Sequence, residues 1–373
     1  MSELIINDDQ FNFDGKTISI IGDQILVDGK ALDFDASEQV INITIVGSLE
    51  KLNILRCGEV NIEGEVNTVQ TGVGNVVAGC VTGNITVNRG DVDCDDVGGN
   101  VSIQEGNLDS NDINGHVTIG KGDISCGEVG GDVSIQEGNI SECGDVGGNL
   151  TVGAGNVDCG GVSGSVTIQE GNLDCGDIES SVSIGKCEEV RCGEIGGDLS
   201  IKEGNISECG SVNGNVSTGA GNIDCGGVDG DVSTGSGNID CGEVGDSVTI
   251  QQGNLDCGDI GGNVNIGKCE SVKCGGIDGD LSIQEGNVSE CGDVGSSVNV
   301  GVGNVTCGDV NGEVSIHEGN LECTSVNSDS YPEVYDESAS EYDEQKTVHS
   351  TDDVETKPAQ DSGDDIISYL SRL

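Results

Sequence analysis

A repeat of 16 residues, read as V-x-I-x-x-G-N-I-x-C-G-x-V-x-G, runs through most of this chain and dictates its architecture before any local propensity does. It is plainest in Asn156–Cys175 and Asn238–Cys257. Cysteine returns at one phase of the repeat from Cys94 to Cys323, with Ser110 filling the one slot that lacks it. A unit this short cannot bury an apolar face alone. Successive units must stack, so the chain is expected to be all-β: a single-chain parallel β-helix (β-solenoid) of about 15 rungs with 16–17 residues each.

Composition agrees with a thin core. The chain has 373 residues with 64 glycines, two prolines, no tryptophan and 2% aromatics, too few large apolar side chains for a conventional globule. Length alone suggests two domains, but a solenoid grows in one dimension without dividing. Eighteen cysteines in a short, loop-rich chain would indicate a disulfide scaffold. Here they follow a strand period, and free thiols in a reducing cytoplasm are expected. The opening MSELIINDDQ has neither a basic nor an apolar leader region, and no run of 18 apolar residues occurs, so neither secretion nor membrane spanning is expected.

Net charge is −54. About −10 of it follows Cys323, where 13 acids face 3 bases, and about −44 lies on the remainder. Such a surface disfavours direct contact with nucleic acid or anionic lipid and suits a basic protein partner.

Within a typical unit, Val166 and Ile168 alternate with Thr167, Gln169–Asn172 reverses the chain, and Leu173 and Cys175 alternate around Asp174. The period-two rule turns Val166, Ile168, Leu173 and Cys175 inward, and Ile178 completes the ring. Glycine at the corners supplies positive φ, and the asparagine after it recurs as a column whose side-chain amides are expected to bond to one another along the axis. Residues 1–51 lie outside the beat and read as a small N-terminal β cap covering the first strand edge. The solenoid proper is assigned to 52–323.

A longer repeat is nested within the short one. Asn149–Gly230 and Asp231–Gly312 are both 82 residues long and match rung by rung. Extra residues fall at equivalent places in both, near Cys187 and Cys269 and at Ser207–Cys209 and Ser289–Cys291, and are expected to be bulges or longer corners. Residues 324–373 read as an acidic disordered tail. Its last ten residues place Ile366, Ile367, Leu370 and Leu373 on one helical face, a candidate partner-docking peptide.

Little chemistry is written into the rungs. The cysteine column reads as a small, soft core filler, and the C-x-x-C and histidine spacing of a metal centre is absent, so no metal, cofactor or catalytic residue is assigned. Cys187 and Cys269 differ because each occupies a corner that is glycine elsewhere. They are expected to be exposed thiols, with Lys186 and Lys268 lowering their pKa. Two acidic columns, one immediately before the core cysteine and one through Asp112, Asp145, Asp177 and Asp259, are expected to stay solvated.

From Gly22-Asp-Gln-Ile-Leu-Val-Asp-Gly29, through Ile43-Thr-Ile-Val-Gly-Ser-Leu-Glu-Lys-Leu52, into the Gly-Asn-Val/Ile-x-Cys-Gly rungs, the chain resembles uncharacterised glycine-rich repeat proteins of bacteriophages and bacteria. It is more distantly similar to bactofilins, whose β-helical rods polymerise end to end. The resemblance implies a parallel β-solenoid without an established activity, located in the host cytoplasm if phage-encoded. Two functions are compatible with these features. One is a non-enzymatic scaffold or protein-binding rod, assembling end to end or through its tail; the other is an anionic DNA mimic that occupies the basic groove of a DNA-binding protein.

Overall fold

The computed structural model describes residues 2–7, 9–13, 15–21, 24–31, 41–327 and 333–334. Contacts divide the chain into Met1–Asp336 and Glu337–Leu373, and the second unit lies outside the described residues, as do Ile366, Ile367, Leu370 and Leu373.

The first unit is a parallel β-solenoid of about 18 turns. Each turn has three inward-facing stations. Face A carries the Val-x-Ile strands, which stack in register as in Val101↔Val117↔Val133. Face B carries the Leu-x-Cys strands, as in Leu173 and Cys175 against Val157 and Cys159. Face C is a single residue per turn held by one parallel bridge, as in Val162↔Ile178↔Ile195. The five inward positions expected of each turn are thus observed. Val166, Ile168, Leu173 and Ile178 are at most 1% exposed. Every strand meets the next copy of itself one turn later, so like side chains stack on like and no interior layer needs a different shape from its neighbours.

The spiral starts earlier than the beat. Strands β1 (Ser2–Ile6), β2 (Asp9–Phe13), β3 (Thr17–Ile21), β4 (Gln24–Val27), β5 (Lys30–Ala31), β6 (Asn42–Val46), β7 (Leu49–Glu63) and β8 (Val66–Ala78) open the chain. Strand β3 already pairs in parallel with β7 on face A, β6 with β7 on face B, and Leu49 with Val66 on face C. A complete turn therefore lies within the segment assigned to the cap. It is invisible in the sequence because the β4–β5 hairpin and the residues after it separate its face A strand from its face B strand.

Capping is achieved by reversing strand direction. Strand β1 lies antiparallel on β6, and β4 antiparallel on β3, so the first edge of both broad faces is taken by a strand that ends the parallel series. At the other end, Glu333–Val334 adds to face A, while Leu321, Cys323 and Val326 close faces B and C and are only half-buried.

The extra residues of the 82-residue unit are bulges. Register slips between Ile206 and Cys209 on face B, and between Lys186 and Glu189 at the corner leading into it; the second unit slips between Lys268 and Ser271. Each absorbs the added residue locally and returns the strand to register with its neighbours.

Candidate functional site

The best-formed recesses are open, and the regular features of the surface are the side-chain columns. One recess is an open groove of about 510 Å³ over the corner between faces A and B, lined by Asp123, Asn139, Ser141, Asn156, Asp158, Asn172 and Asp174.

The asparagine column forms, with a different partner from the one expected. In the turns that carry Asn or Asp one turn below, the backbone N–H of the asparagine donates to Oδ1 of that residue, as Asn238 to Asn222 at 2.9 Å and Asn254 to Asn238 at 2.9 Å. Amide-to-amide contacts supplement this in a few turns, such as Asn304 Nδ2 to Asn287 Oδ1 at 3.2 Å. Because the working atom is an acceptor oxygen, aspartate substitutes freely: Asn107 N–H donates to Asp91 and Asp123 N–H to Asn107. The glycine before each asparagine is indispensable. Gly237 has φ of 146°, and a Cβ there would stand 2.0 Å from the Gly221 carbonyl oxygen of the turn below.

A second ladder, missed in the sequence, follows the corner between faces C and A. It runs through Asn84, Asn100, His116, Asp132 and Asn149, each accepting from the backbone N–H one turn later at 2.7–3.0 Å. Serine hydroxyls serve at the same place, as Ser181 does for Asp198 N–H. Four residue types share one acceptor role, which hides the column from any search for a repeated letter. His116 is thereby a structural acceptor through Nδ1. The Asn149 backbone N–H holds the Asp132 carboxyl below its usual range, and the Asn149 side-chain amide adds to this.

The two acidic columns behave differently. Both were expected to be merely solvated, but in one of them Asp112, Asp145, Asp177, Asp259 and Asp293 each accept a backbone N–H from the next turn at 2.7–2.9 Å. The column preceding the cysteines is a true like-charge stack, with Asp224, Asp240 and Asp256 in consecutive register. Desolvation pushes the Asp240 carboxyl up, and its two neighbours add to the effect. Arg191 follows Asp174, and Lys273 follows Asp256, so a cation interrupts the stack at these two turns. At the edge of face A a third charged column alternates in sign, with Arg89–Glu105 at 2.9 Å, Lys121–Glu137 at 2.7 Å and Lys268–Glu285 at 2.8 Å. These pairs are exposed, so each contributes about 1 kcal/mol at most.

The thiols form a column as expected. From Cys94 to Cys323 they line the inner edge of face B, and Ser110 takes the vacant slot, 8% exposed. Neighbours touch: the Sγ atoms of Cys126 and Cys143 are 3.1 Å apart, as are those of Cys192 and Cys209. Burial pushes the Cys94 and Cys307 thiols up to about 12. Cys187 and Cys269 are half-buried rather than fully exposed, each with its sulfur against the next turn's glycine, Gly204 and Gly286. Desolvation raises both thiols, Cys187 to about 11, opposite to the direction expected from the adjacent lysines. Among the described residues Cys80 is the fully exposed cysteine.

No three histidine, cysteine or carboxylate groups among the described residues converge on a point, and no described helix is long and apolar enough to cross a membrane. Comparison with family models, curated proteins and solved structures finds no match.

Proposed function

We propose that the chain is a non-enzymatic protein-binding rod, a scaffold that presents uninterrupted columns of side chains at the roughly 4.8 Å spacing of stacked strands. The observation that supports this reading most is that polar atoms on the rungs are committed to holding the next turn. Three ladders of Asn, Asp, His and Ser satisfy backbone N–H groups. What remains outward is a periodic, rigid, acidic relief suited to a partner with matching periodicity or basic charge. We assign the chain, on its rungs, to the glycine-rich solenoid proteins of bacteriophages and bacteria that it resembles, and place it in the cytoplasm.

One observation favours the DNA-mimic reading as a second possibility. About 18 turns at roughly 4.8 Å give a rod on the order of 85 Å long. The charge of about −44 on residues 1–323 then amounts to about one charge per 2 Å, against about one per 1.7 Å for duplex DNA.

Affinity capture from the native host separates the two. A scaffold retains a stoichiometric partner at high salt, and the tail peptide Asp364–Leu373 contributes if its deletion abolishes retention. A DNA mimic captures DNA-binding proteins that are released by salt and displaced by added duplex. Recovery of no stoichiometric protein under either condition contradicts both.

A further inference from the structure

We propose that the thiol column of face B binds soft monovalent metal ions of the copper(I) type, each held in a line between two thiolates of adjacent turns. Thirteen of the 18 cysteines, from Cys126 to Cys323, occupy consecutive turns without a gap. Where the pairing is in strict register the sulfurs repeat with the strands, as in Cys143↔Cys159↔Cys175 and Cys225↔Cys241↔Cys257. Two metal–thiolate bonds of about 2.3 Å laid end to end span about 4.6 Å. That length matches the roughly 4.8 Å between strands. The sulfurs of neighbouring turns now stand 3.1–3.5 Å apart, Cys126 from Cys143, Cys192 from Cys209, Cys225 from Cys241 and Cys274 from Cys291, so a thiol pair must swing open by about 1 Å to admit the ion, within the reach that the strand spacing allows.

Coordination number selects the metal. With no convergence of three donors among the described residues, the four ligands that zinc requires are not available, whereas two thiolates in a line suffice for copper(I). The column is also reachable. Its buried members are 5–8% exposed, while the aliphatic residues beside them on face B, such as Ile223, Ile239 and Leu255, are at 1%. The sulfurs thus line a seam, flanked from Cys126 to Cys307 by the glycine that follows each column cysteine, into which an ion can pass from the acidic surface.

The balance is simple: two thiols and one Cu⁺ give a two-coordinate dithiolate with one negative charge and two released protons, with no change of oxidation state. Filling every second gap gives about six ions per chain. Two consequences distinguish this from adsorption on carboxylates. Affinity rises about a hundredfold per pH unit because two protons leave. It also rises with ionic strength, because each event adds one negative charge to an acidic rod.

The test is anaerobic titration of the reduced full-length chain with copper(I) against a chromogenic chelator, with X-ray absorption to count sulfur neighbours. Uptake of about six ions with two sulfurs each is expected, and zinc should not compete. Replacing Cys143, Cys175, Cys209, Cys241, Cys274 and Cys307 by serine leaves seven isolated thiols, and should abolish uptake. Ser110 shows that this slot accepts serine between two cysteine turns. Cys80→Ser with Cys187→Ser and Cys269→Ser, which spares the column, should leave uptake unchanged. Capacity that survives the first set, disappears with the second, or weakens with salt overturns the proposal, whether or not the six-fold variant folds.

Discussion

At the scale of single residues, the corner Asn, Asp, His and Ser side chains form ladders, and the inward positions form stacks of like shape. Asn238→Asp should be nearly neutral, since aspartate serves the same ladder at positions 91 and 123, whereas Asn238→Ala leaves Asn254 N–H without its acceptor. A loss of about 1 kcal/mol is expected for alanine by denaturant unfolding. Gly237→Ala should cost more, at least about 2 kcal/mol, because positive φ and the close carbonyl both oppose it. Thr71 offers the opposite sign. Its hydroxyl is buried with no hydrogen-bond partner, unlike Thr218 and Thr234, which bond to each other at 2.9 Å. Thr71→Val should therefore stabilise the chain by about 1 kcal/mol. The raised thiols also set an alkaline limit. Unfolded cysteines ionise near 9, while Cys57 and Cys94 in the fold stay protonated up to about 11 and about 12. Stability from these groups is complete below pH 9 and is lost as pH climbs through 11–12, so the melting temperature should fall steadily above pH 9. The cysteine and asparagine columns were legible as repeated letters. The acceptor ladder through His116, Asp132 and Ser181 was not, because an acceptor atom at a fixed place can be supplied by several residue types.

At the scale of elements, the decisive device is the reversal of strand direction at the N-terminal end. Head-to-tail stacking of copies, as a bactofilin-like rod requires, needs a free parallel edge there, and β1 and β4 occupy it. Removing residues 1–13 uncovers the β6 edge, and the average mass by light scattering should increase relative to the full chain. An unchanged mass would show that the cap has no such role. The hidden first turn and the two after it explain why the sequence yielded about 15 turns and the structure about 18. In that turn and the two after it, Ile45, Ile62 and Ala78 fill the slot that later belongs to cysteine, so the marker that made the beat audible is absent. The bulges were legible because the 82-residue copies carry their extra residues at equivalent places, and a solenoid can accommodate an added residue only by leaving the ladder for a moment. The proposed docking peptide at Asp364–Leu373 lies outside the described residues, and its role stands on its amphipathic pattern alone.

At the scale of the whole molecule, stability is collective and opposed by charge. Carboxylates stacked one turn apart, as at Asp224, Asp240 and Asp256, repel through largely exposed positions, so screening should favour the folded rod. The melting temperature is expected to rise as salt increases from about 0.02 to about 0.5 M, and a fall would mean that the alternating pairs at the edge of face A outweigh the acidic stack. The central claim, that units of 16–17 residues stack in register and that five of them form one interchangeable block, has a direct physical test. Asn149–Gly230 is one complete block, and its deletion joins Gly148 to Asp231 in phase. Small-angle scattering of the full chain and of this deletion should show the same cross-section and a rod shorter by roughly 24 Å, five strand spacings. A cross-section that changes, or a length that does not shorten by that amount, would contradict the stacked-register account.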